Sequence, residues 1–466
     1  ANPAGCLRGK AWDRIRLALW RWPGGGEDGA TVYPECSLEE SGTMGPIASS
    51  LLQNVKRYKA MLYVTFAVTL NNLVSFAVQV AAARILGPEK FGVLSLAFSV
   101  ALLTGSVGDL GMNLTAIRLF NYHHDDQQKQ MVLLGSVFIF KALVFAGLLL
   151  FSPLLGSILA TSFGQIEYGL LFAIALVTGG LLLFWTYLQS LLQSYRQFTY
   201  LAGYTLLYAG LRLIALVGIF TLMGQSVLGW LLAIYTLPAA LLFVIGLLPR
   251  ISQPFLAAGA NFRESLVSLT GTFAYSKWVA LSGMAYIAMP YIVRFILAIG
   301  ASVKEVGVFS AGMTFTIAFS TLNTAVRAVL FPQVTALEGR EEMKGYLRKV
   351  RAIAPYYLGF ATAGIVALAF LQWLVLGGEY SAALPVFLVT AGAFAISVLL
   401  YLETMLLHTL MRPNIDALIN LLMLMLLATL TLLVAGNFGA LGVAIAYGCT
   451  IILGGMCKRV WLARII

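Results

Sequence analysis

Two long apolar segments flank the stretch Ala83-Arg84-Ile85-Leu86-Gly87-Pro88-Glu89-Lys90-Phe91-Gly92, and the second segment ends at Gly108-Asp109-Leu110-Gly111-Met112-Asn113-Leu114-Thr115-Ala116-Ile117-Arg118. A Gly-Pro pair is a turn signal, so the stretch predicts a tight connection between two helices. Each flanking segment is long enough to cross the roughly 30 Å of hydrocarbon in a bilayer. Three charges, on Arg84, Asp109 and Arg118, therefore lie in or beside the hydrocarbon.

The composition predicts an all-α polytopic membrane protein. Of the 466 residues, 60% are hydrophobic and only 11% are charged, whereas a soluble domain carries about 25% charged residues. The alternating segments of about 10 residues that would indicate a transmembrane barrel are not seen. The net charge of +11 could suggest nucleic acid, but the basic residues lie between the spans, so membrane orientation explains them better and we expect no nucleic-acid partner.

From Met61 onward the sequence contains about twelve apolar segments. Loops rich in Lys and Arg alternate with loops that hold few positive charges, which places both termini in the cytoplasm of a multi-pass cell (inner) membrane protein. The segments lie near 60–84, 92–117, 130–155, 168–192, 199–222, 227–248, 271–297, 306–331, 352–376, 382–408, 415–435 and 438–460.

The two halves of the chain resemble each other. Val306-Gly307-Val308-Phe309-Ser310 is similar to Phe91-Gly92-Val93-Leu94-Ser95, and Arg84 and Arg294 precede these motifs at an offset of 210 residues. Six spans in each half give both halves the same orientation, so we expect a parallel repeat with the site between the halves. The predicted domains are a disordered extension (1–43), an N-terminal six-helix bundle (44–248), a cytoplasmic linker (249–270) and a C-terminal six-helix bundle (271–466).

Positive charges within the spans are the candidate site residues. Each costs roughly 2.5–3.5 kcal/mol at the centre of a helix, so Lys141 and Arg212, which are central in their spans, should face a wet cavity or an anion. A structural ion pair with Asp109 or Glu403 is the alternative, and residues nearer span ends could reach the headgroups. Asp109 and Glu403 could also couple transport to a proton or sodium gradient. The cationic candidates are Arg84, Lys141, Arg212, Lys277, Arg294 and Arg327.

The fifth span carries a stripe of tyrosines. Tyr200, Tyr204, Tyr208 and Arg212 recur every four residues and share one helix face. Tyrosine rings can stack on sugars and a guanidinium can bind phosphate, although ordinary helix packing would also produce such a stripe. Four scattered cysteines, and no nucleotide-binding or catalytic motif, lead us to expect no disulfide framework, metal, cofactor or enzymatic activity.

The run Ala83–Gly92, together with the stretch Gly108–Asn113 that ends the following apolar segment, resembles the N-terminal signature of the polysaccharide transporter, or O-antigen flippase, family. This family belongs to the multidrug/oligosaccharidyl-lipid/polysaccharide exporter superfamily. The resemblance implies two six-helix bundles around a central cavity lined by cationic residues. It also implies translocation of a polyprenyl-pyrophosphate-linked oligosaccharide for cell-surface polysaccharide biosynthesis. The expected partners are this lipid-linked glycan, membrane lipids, and a glycan polymerase with its chain-length machinery.

Other functions remain open at this point. A lipid II flippase of the same superfamily typically has two more spans, and a cation-coupled drug antiporter would more often show an excess of Asp and Glu within its spans. A membrane-embedded glycan polymerase or ligase generally needs a large outer loop, and the outer loops here are short. A structural membrane protein would have little use for the buried charges.

Overall fold

The computed structural model describes residues 46–464, apart from 124–125, 223, 225, 247–261, 336–338 and 407–412. Side chains are described for the same residues except 46–61, 220–222, 262–279, 320, 322–329, 331–333, 335 and 413–415. The chain divides into two units, Ala1–Val55 and Lys56–Ile466, and every contact reported below lies within the second. The extension predicted at 1–43 and most of the predicted linker fall outside the described residues.

All the regular structure in the described part of the chain is helical. The sixth helix contains a π-helical turn at Leu232–Thr236. The helices are α1 Pro46–Val107, α2 Met112–Tyr122, α3 Gln127–Ser162, α4 Gly169–Ser194, α5 Phe198–Leu222, α6 Val227–Gly246, α7 Phe262–Gly300, α8 Val303–Thr335, α9 Arg340–Leu376, α10 Ala383–Thr404 and α11 Pro413–Ala463.

Nine stretches of helix within the described residues are long and apolar enough to cross a membrane, which confirms an all-α membrane protein. Two of them, Leu62–Tyr122 and Asp416–Ala463, are far longer than the roughly 20 residues that one crossing needs. Each contains a glycine with non-helical backbone angles, Gly87 at φ 72° and Gly439 at φ 53°. A side chain would clash in this left-handed region, so glycine is needed where each long helix breaks.

The sequence prediction differs from the structure at several helix boundaries, and α7, for example, begins at Phe262 within the predicted linker 249–270. The predicted segment 92–117 is interrupted by a turn between α1 and α2, where Leu110 and Gly111 have φ of 45° and 70°. A Cβ on Gly111 would lie 2.7 Å from the Cβ of Ala280, so the turn also lets α7 approach closely. The predicted loop 332–351 is also partly helical, because α9 begins at Arg340.

The start of α3 lies in a connection that the charge pattern predicts to be cytoplasmic. The Asp126 carboxylate accepts a hydrogen bond from the backbone N–H of Lys129 at 3.0 Å and caps the helix. This backbone hydrogen bond lowers the pKa of Asp126 below its usual value.

The similar motifs of the two halves pack directly against each other. A Cβ on Gly92 would overlap the carbonyl of Val303, and a Cβ on Gly307 would overlap the carbonyl of Pro88. The backbones of α1 and α8 therefore touch at positions where only glycine fits. Small residues allow this close approach between helices in membranes. Further along the same helices, the rings of Phe76 and Phe315 meet edge to face at 5.1 Å.

Hydrogen bonds reinforce this end of the interface. Arg84 Nη1 donates to the carbonyl of Leu376, at the end of α9, at 2.8 Å. The Tyr380 hydroxyl donates to the carbonyl of Ala83 at 2.9 Å. Both bonds join the halves beside the break at Gly87, at the end of the helices that the charge pattern predicts to lie outside the cell. These two hydrogen bonds therefore hold the two halves together at this end.

We expect Gly307→Ala to destabilise the protein by roughly 1–3 kcal/mol, because the added methyl group overlaps the Pro88 carbonyl and the backbones have to separate. Thermal unfolding in detergent would measure the loss. Gly364→Ala in α9 is the matched control, since nothing lies within 4 Å of a Cβ there. An unchanged melting temperature for Gly307→Ala would contradict the close contact.

Candidate functional site

Arg212 lies within the membrane-spanning region at the contact between α1, α5 and α6. Its side chain is only 3% exposed, and Nη1 donates to the Ser75 hydroxyl at 2.7 Å. The guanidinium carbon lies 5.1 Å from the ring centroid of Tyr235 and 5.4 Å from that of Tyr208. Ring faces attract cations within about 6 Å. A hydroxyl and two rings therefore stabilise the positive charge.

Tyr235 is held in place by the π-helical turn in α6. Its ring stacks on Phe98 of α1 with centroids 4.1 Å apart, and its hydroxyl accepts a hydrogen bond from Gln79 Nε2 at 2.9 Å. Thr236 supports the turn by bonding across it to the Leu231 carbonyl at 3.3 Å. Turns of this kind occur frequently at functional sites because they redirect a side chain within a continuous helix.

Arg294 of α7 joins the two halves close to Tyr235. Nε donates to the Ser310 hydroxyl of α8 at 3.0 Å, and Nη1 donates to the Ser99 hydroxyl of α1 at 3.4 Å. Ser99 follows Phe98, on which Tyr235 stacks, so Arg294 contacts the same segment of α1 as Tyr235. We call Arg212, Tyr235 and Arg294, with the hydroxyls of Ser75, Ser99 and Ser310, the arginine cluster.

Neither arginine of the cluster forms an ion pair with a carboxylate among the described residues. Arg212 Nε is also buried with no hydrogen-bond partner there. Buried polar groups normally find partners, and an unmatched buried charge is costly. The cluster therefore carries uncompensated positive charge and a spare donor, and an anion with several oxygens would satisfy both.

Lys141 has a different environment. The side chain is fully buried, and Nζ forms an ion pair with Asp109 at 2.5 Å and donates to the Leu183 carbonyl at 3.1 Å. The second carboxylate oxygen of Asp109 accepts from the backbone N–H of Asn113 at 3.4 Å. Of the two environments that the sequence left open for Lys141, the structure shows the ion pair. Its role in binding substrate remains a prediction.

The other charged candidates are distributed over the molecule. Arg84 bonds to the end of α9, as described above. The buried Glu403 carboxylate of α10 forms ion pairs with Arg459 Nε at 2.7 Å and with Arg351 Nε at 3.5 Å. Two arginines therefore already balance its negative charge. The side chains of Lys277 and Arg327 lie outside the described residues, and their predicted roles remain predictions.

The tyrosine stripe on α5 reaches the cluster at one position. Tyr208 is buried, stacks on Trp185 with centroids 5.4 Å apart, and lies beside Arg212. Tyr204 is half-buried against the apolar cluster that contains Trp185. Tyr200 is 64% exposed, as expected for a tyrosine at the membrane interface. Sugar contact by these three residues stays a prediction.

Two features of the structure were missed from the sequence. No pattern in the sequence pointed to Tyr235 as a site residue, because a π-helical turn has no clear sequence pattern. A polar network of Ser282, Asp416, Asn420 and Lys458 also went unnoticed, because Asp416 and Lys458 lie 42 positions apart at the ends of α11. A cavity of about 80 Å³ beside this network is lined by 11 residues, all of them in the C-terminal half. A second cavity, of about 10 Å³, lies between α4 and α6.

Neither of these two cavities borders the arginine cluster. The central cavity between the halves stays a prediction. No group of three or more His, Cys, Asp or Glu side chains suited to a metal occurs in the described part of the chain.

The sequence matches the family described as "Polysaccharide biosynthesis protein" over residues 58–338, which is more than half of the chain. No curated protein sequence is similar enough to count as a relative.

Solved structures share the fold. A multidrug resistance MATE family transporter of the MOP superfamily, in an inward-facing conformation, is 14% identical, with 84% of this chain and 93% of that chain covered and a TM-score of 0.64. The lipid II flippase MurJ, in an inward closed conformation, is 13% identical over 86% and 87%, with a TM-score of 0.66. A MOP superfamily transporter from Pyrococcus furiosus is 14% identical over 86% and 94%, with a TM-score of 0.54.

We expect Asp109→Asn to destabilise the protein by about 3–5 kcal/mol, because it leaves the fully buried Lys141 without its partner. Lys141→Met should cost less, because the Asp109 side chain is 17% exposed. The double variant should lose less than the sum of the two, since it removes both charges together. Melting temperatures of the four proteins in one detergent would test this. Strictly additive losses would show that the two side chains do not stabilise each other.

Proposed function

Because this chain belongs to the polysaccharide biosynthesis protein family and has the fold of a multi-pass MOP-superfamily transporter, we propose that it is a flippase. Its substrate is a polyprenyl-pyrophosphate-linked oligosaccharide, which it moves from the cytoplasmic to the outer leaflet of the cell membrane. The glycan then serves cell-surface polysaccharide synthesis, with a polymerase and chain-length machinery acting after it. The chain itself acts as a transporter and not as an enzyme.

The arginine cluster is the observation that carries this proposal. A pyrophosphate offers several charged oxygens, and a planar guanidinium can bind two of them at once. The spare Nε of Arg212 and the neighbouring serine hydroxyls supply further donors. A drug antiporter for cations would place carboxylates at such a position. The negative charge of the headgroup thus complements the positive charge of the site.

Alternating access explains why the cluster is enclosed in this conformation. The nine candidate spans become twelve when Leu62–Tyr122 and Asp416–Ala463 are each counted as two, because of their glycine breaks, and α8 is added. Six spans in each half then form two bundles whose rocking would open a path between them. Both termini lie in the cytoplasm in this arrangement, as the basic loops predict.

Opening on the cytoplasmic side would expose Arg212 and Arg294 to a headgroup, while the lipid tail stays in the bilayer. The contacts at Gly92 and Gly307 keep the outer side closed during this step. Opening on the outer side requires the bonds from Arg84 and Tyr380 to break. Substrate shifts the population between these two states only if it binds them with different affinity. Arg294 would provide such a difference in affinity, because its hydrogen-bond partners belong to both halves and separate when the halves move.

We expect Arg212→Gln and Arg294→Gln each to lower the rate of flipping at least tenfold, since hydrogen bonds to charged groups contribute about 1.5–3 kcal/mol. Arg212→Lys should restore only part of the activity, because the charge remains while the planar fork is lost. The assay follows a polyprenyl-pyrophosphate oligosaccharide from one leaflet to the other in proteoliposomes.

Arg348→Gln is the matched control, because this arginine is exposed near the start of α9 and should leave flipping unchanged. Normal flipping by both cluster variants would overturn the proposal. Dye efflux by the wild-type protein without glycan flipping would instead assign it to the cation-coupled drug antiporters.

A further inference from the structure

One face of α1 is polar within the first membrane span. Four side chains of this face fall within about 100° of one another around the helix axis. They belong to Asn71, Asn72, Ser75 and Gln79. Leu73, on the other side of the helix, is 59% exposed, so that side meets lipid. Polar side chains within a span turn toward the interior of the protein. The two asparagines of this face have no part in the arginine cluster.

The asparagines lie one helical turn from the arginine cluster. The Ser75 hydroxyl, which accepts from Arg212, donates to the backbone carbonyl of Asn71 at 2.8 Å. One turn advances an α-helix by about 5.4 Å, and Asn71 precedes Ser75 in the chain. The charge pattern predicts that α1 begins in the cytoplasm. Asn71 and Asn72 therefore lie on the side of the cluster from which a cytoplasmic substrate would enter.

Both asparagines have hydrogen-bonding groups that a ligand could use. Asn71 Oδ1 is buried and has no hydrogen-bond partner among the described residues. Asn72 Nδ2 donates to the Thr321 hydroxyl of α8 at 3.3 Å, and this bond joins the two halves. Separation of the halves would break it and free a donor and a hydroxyl. An acceptor, a donor and a hydroxyl would then face the space beside the arginine cluster, and sugar hydroxyls can pair with all three.

We propose that Asn71 and Asn72 bind the sugar joined directly to the pyrophosphate and so distinguish the loaded lipid carrier from the bare carrier. This inference rests on the function proposed above. With the phosphates bound to the arginine cluster, the first sugar lies about one helical turn away, at the asparagines. The bare carrier has no hydroxyls to offer there. A site built to bond a hydroxyl rejects a molecule without one, because its own polar groups stay unpaired.

Flipping of a panel of lipids in proteoliposomes tests this assignment. The panel is polyprenyl pyrophosphate alone, or bearing one glucose, galactose, N-acetylglucosamine or N-acetylgalactosamine. We expect the wild-type full chain to move at least one sugar-bearing lipid about fivefold faster than the bare carrier, and Asn71→Leu and Asn72→Leu each to lose most of this preference. Asn71→Leu should keep its melting temperature, because it removes a buried acceptor that has no partner among the described residues.

Asn121→Leu is the matched control, because the Asn121 amide is exposed and donates to the Ile117 carbonyl of its own helix. This variant should keep the preference of the wild-type protein. If Asn71→Leu does not fold, Asn71→Ala is judged by the same ratio of rates.

Two results would overturn the inference and leave the proposed flippase function intact. One is equal movement of bare and sugar-bearing lipids by the wild-type protein, and the other is a preference that both asparagine variants retain. Failure of the wild-type protein to move any lipid of the panel would instead overturn the proposed function, and the inference with it.

Discussion

The fold is constrained by the free-energy cost of holding positive charge where water cannot solvate it. The protein meets this cost in two ways. Lys141 has a carboxylate and a carbonyl as partners, so its charge is balanced within the chain. Arg212 and Arg294 have hydroxyls and aromatic rings, which solvate the charge without cancelling it. An attraction for anions remains only in the second case.

The contact between the halves suits the opening motion that we propose for this protein. Gly92 and Gly307 bring two backbones together, and such a contact depends on shape more than on strong directional bonds. Lipid chains can replace the lost packing when the helices separate, because hydrocarbon resembles the surface that it covers. The hydrogen bonds of Arg84 and Tyr380 add a defined closed position. The sequence repeat therefore has a physical role, since its two copies meet each other.

Local features of the sequence predicted much of this structure. Hydropathy indicated membrane helices, and the Gly-Pro pair after Leu86 predicted the first break. Positive charge in the spans also identified the two arginines of the cluster. The partners of these charges were not predictable, because they depend on packing between distant segments. Asp109 was one of two possible acids for Lys141, and nothing local in the sequence connects Tyr235 with Arg294.

The π-helical turn at Leu232–Thr236 gives the site a means of adjustment. Such a turn holds one more residue than an α-helical turn, and each residue advances the helix by about 100°. If the surplus residue moved along α6, the phenol ring of Tyr235 would rotate away from the guanidinium group of Arg212 while the ends of the helix stayed in place. The rotation of one side chain would thus uncover Arg212 without displacement of a whole helix.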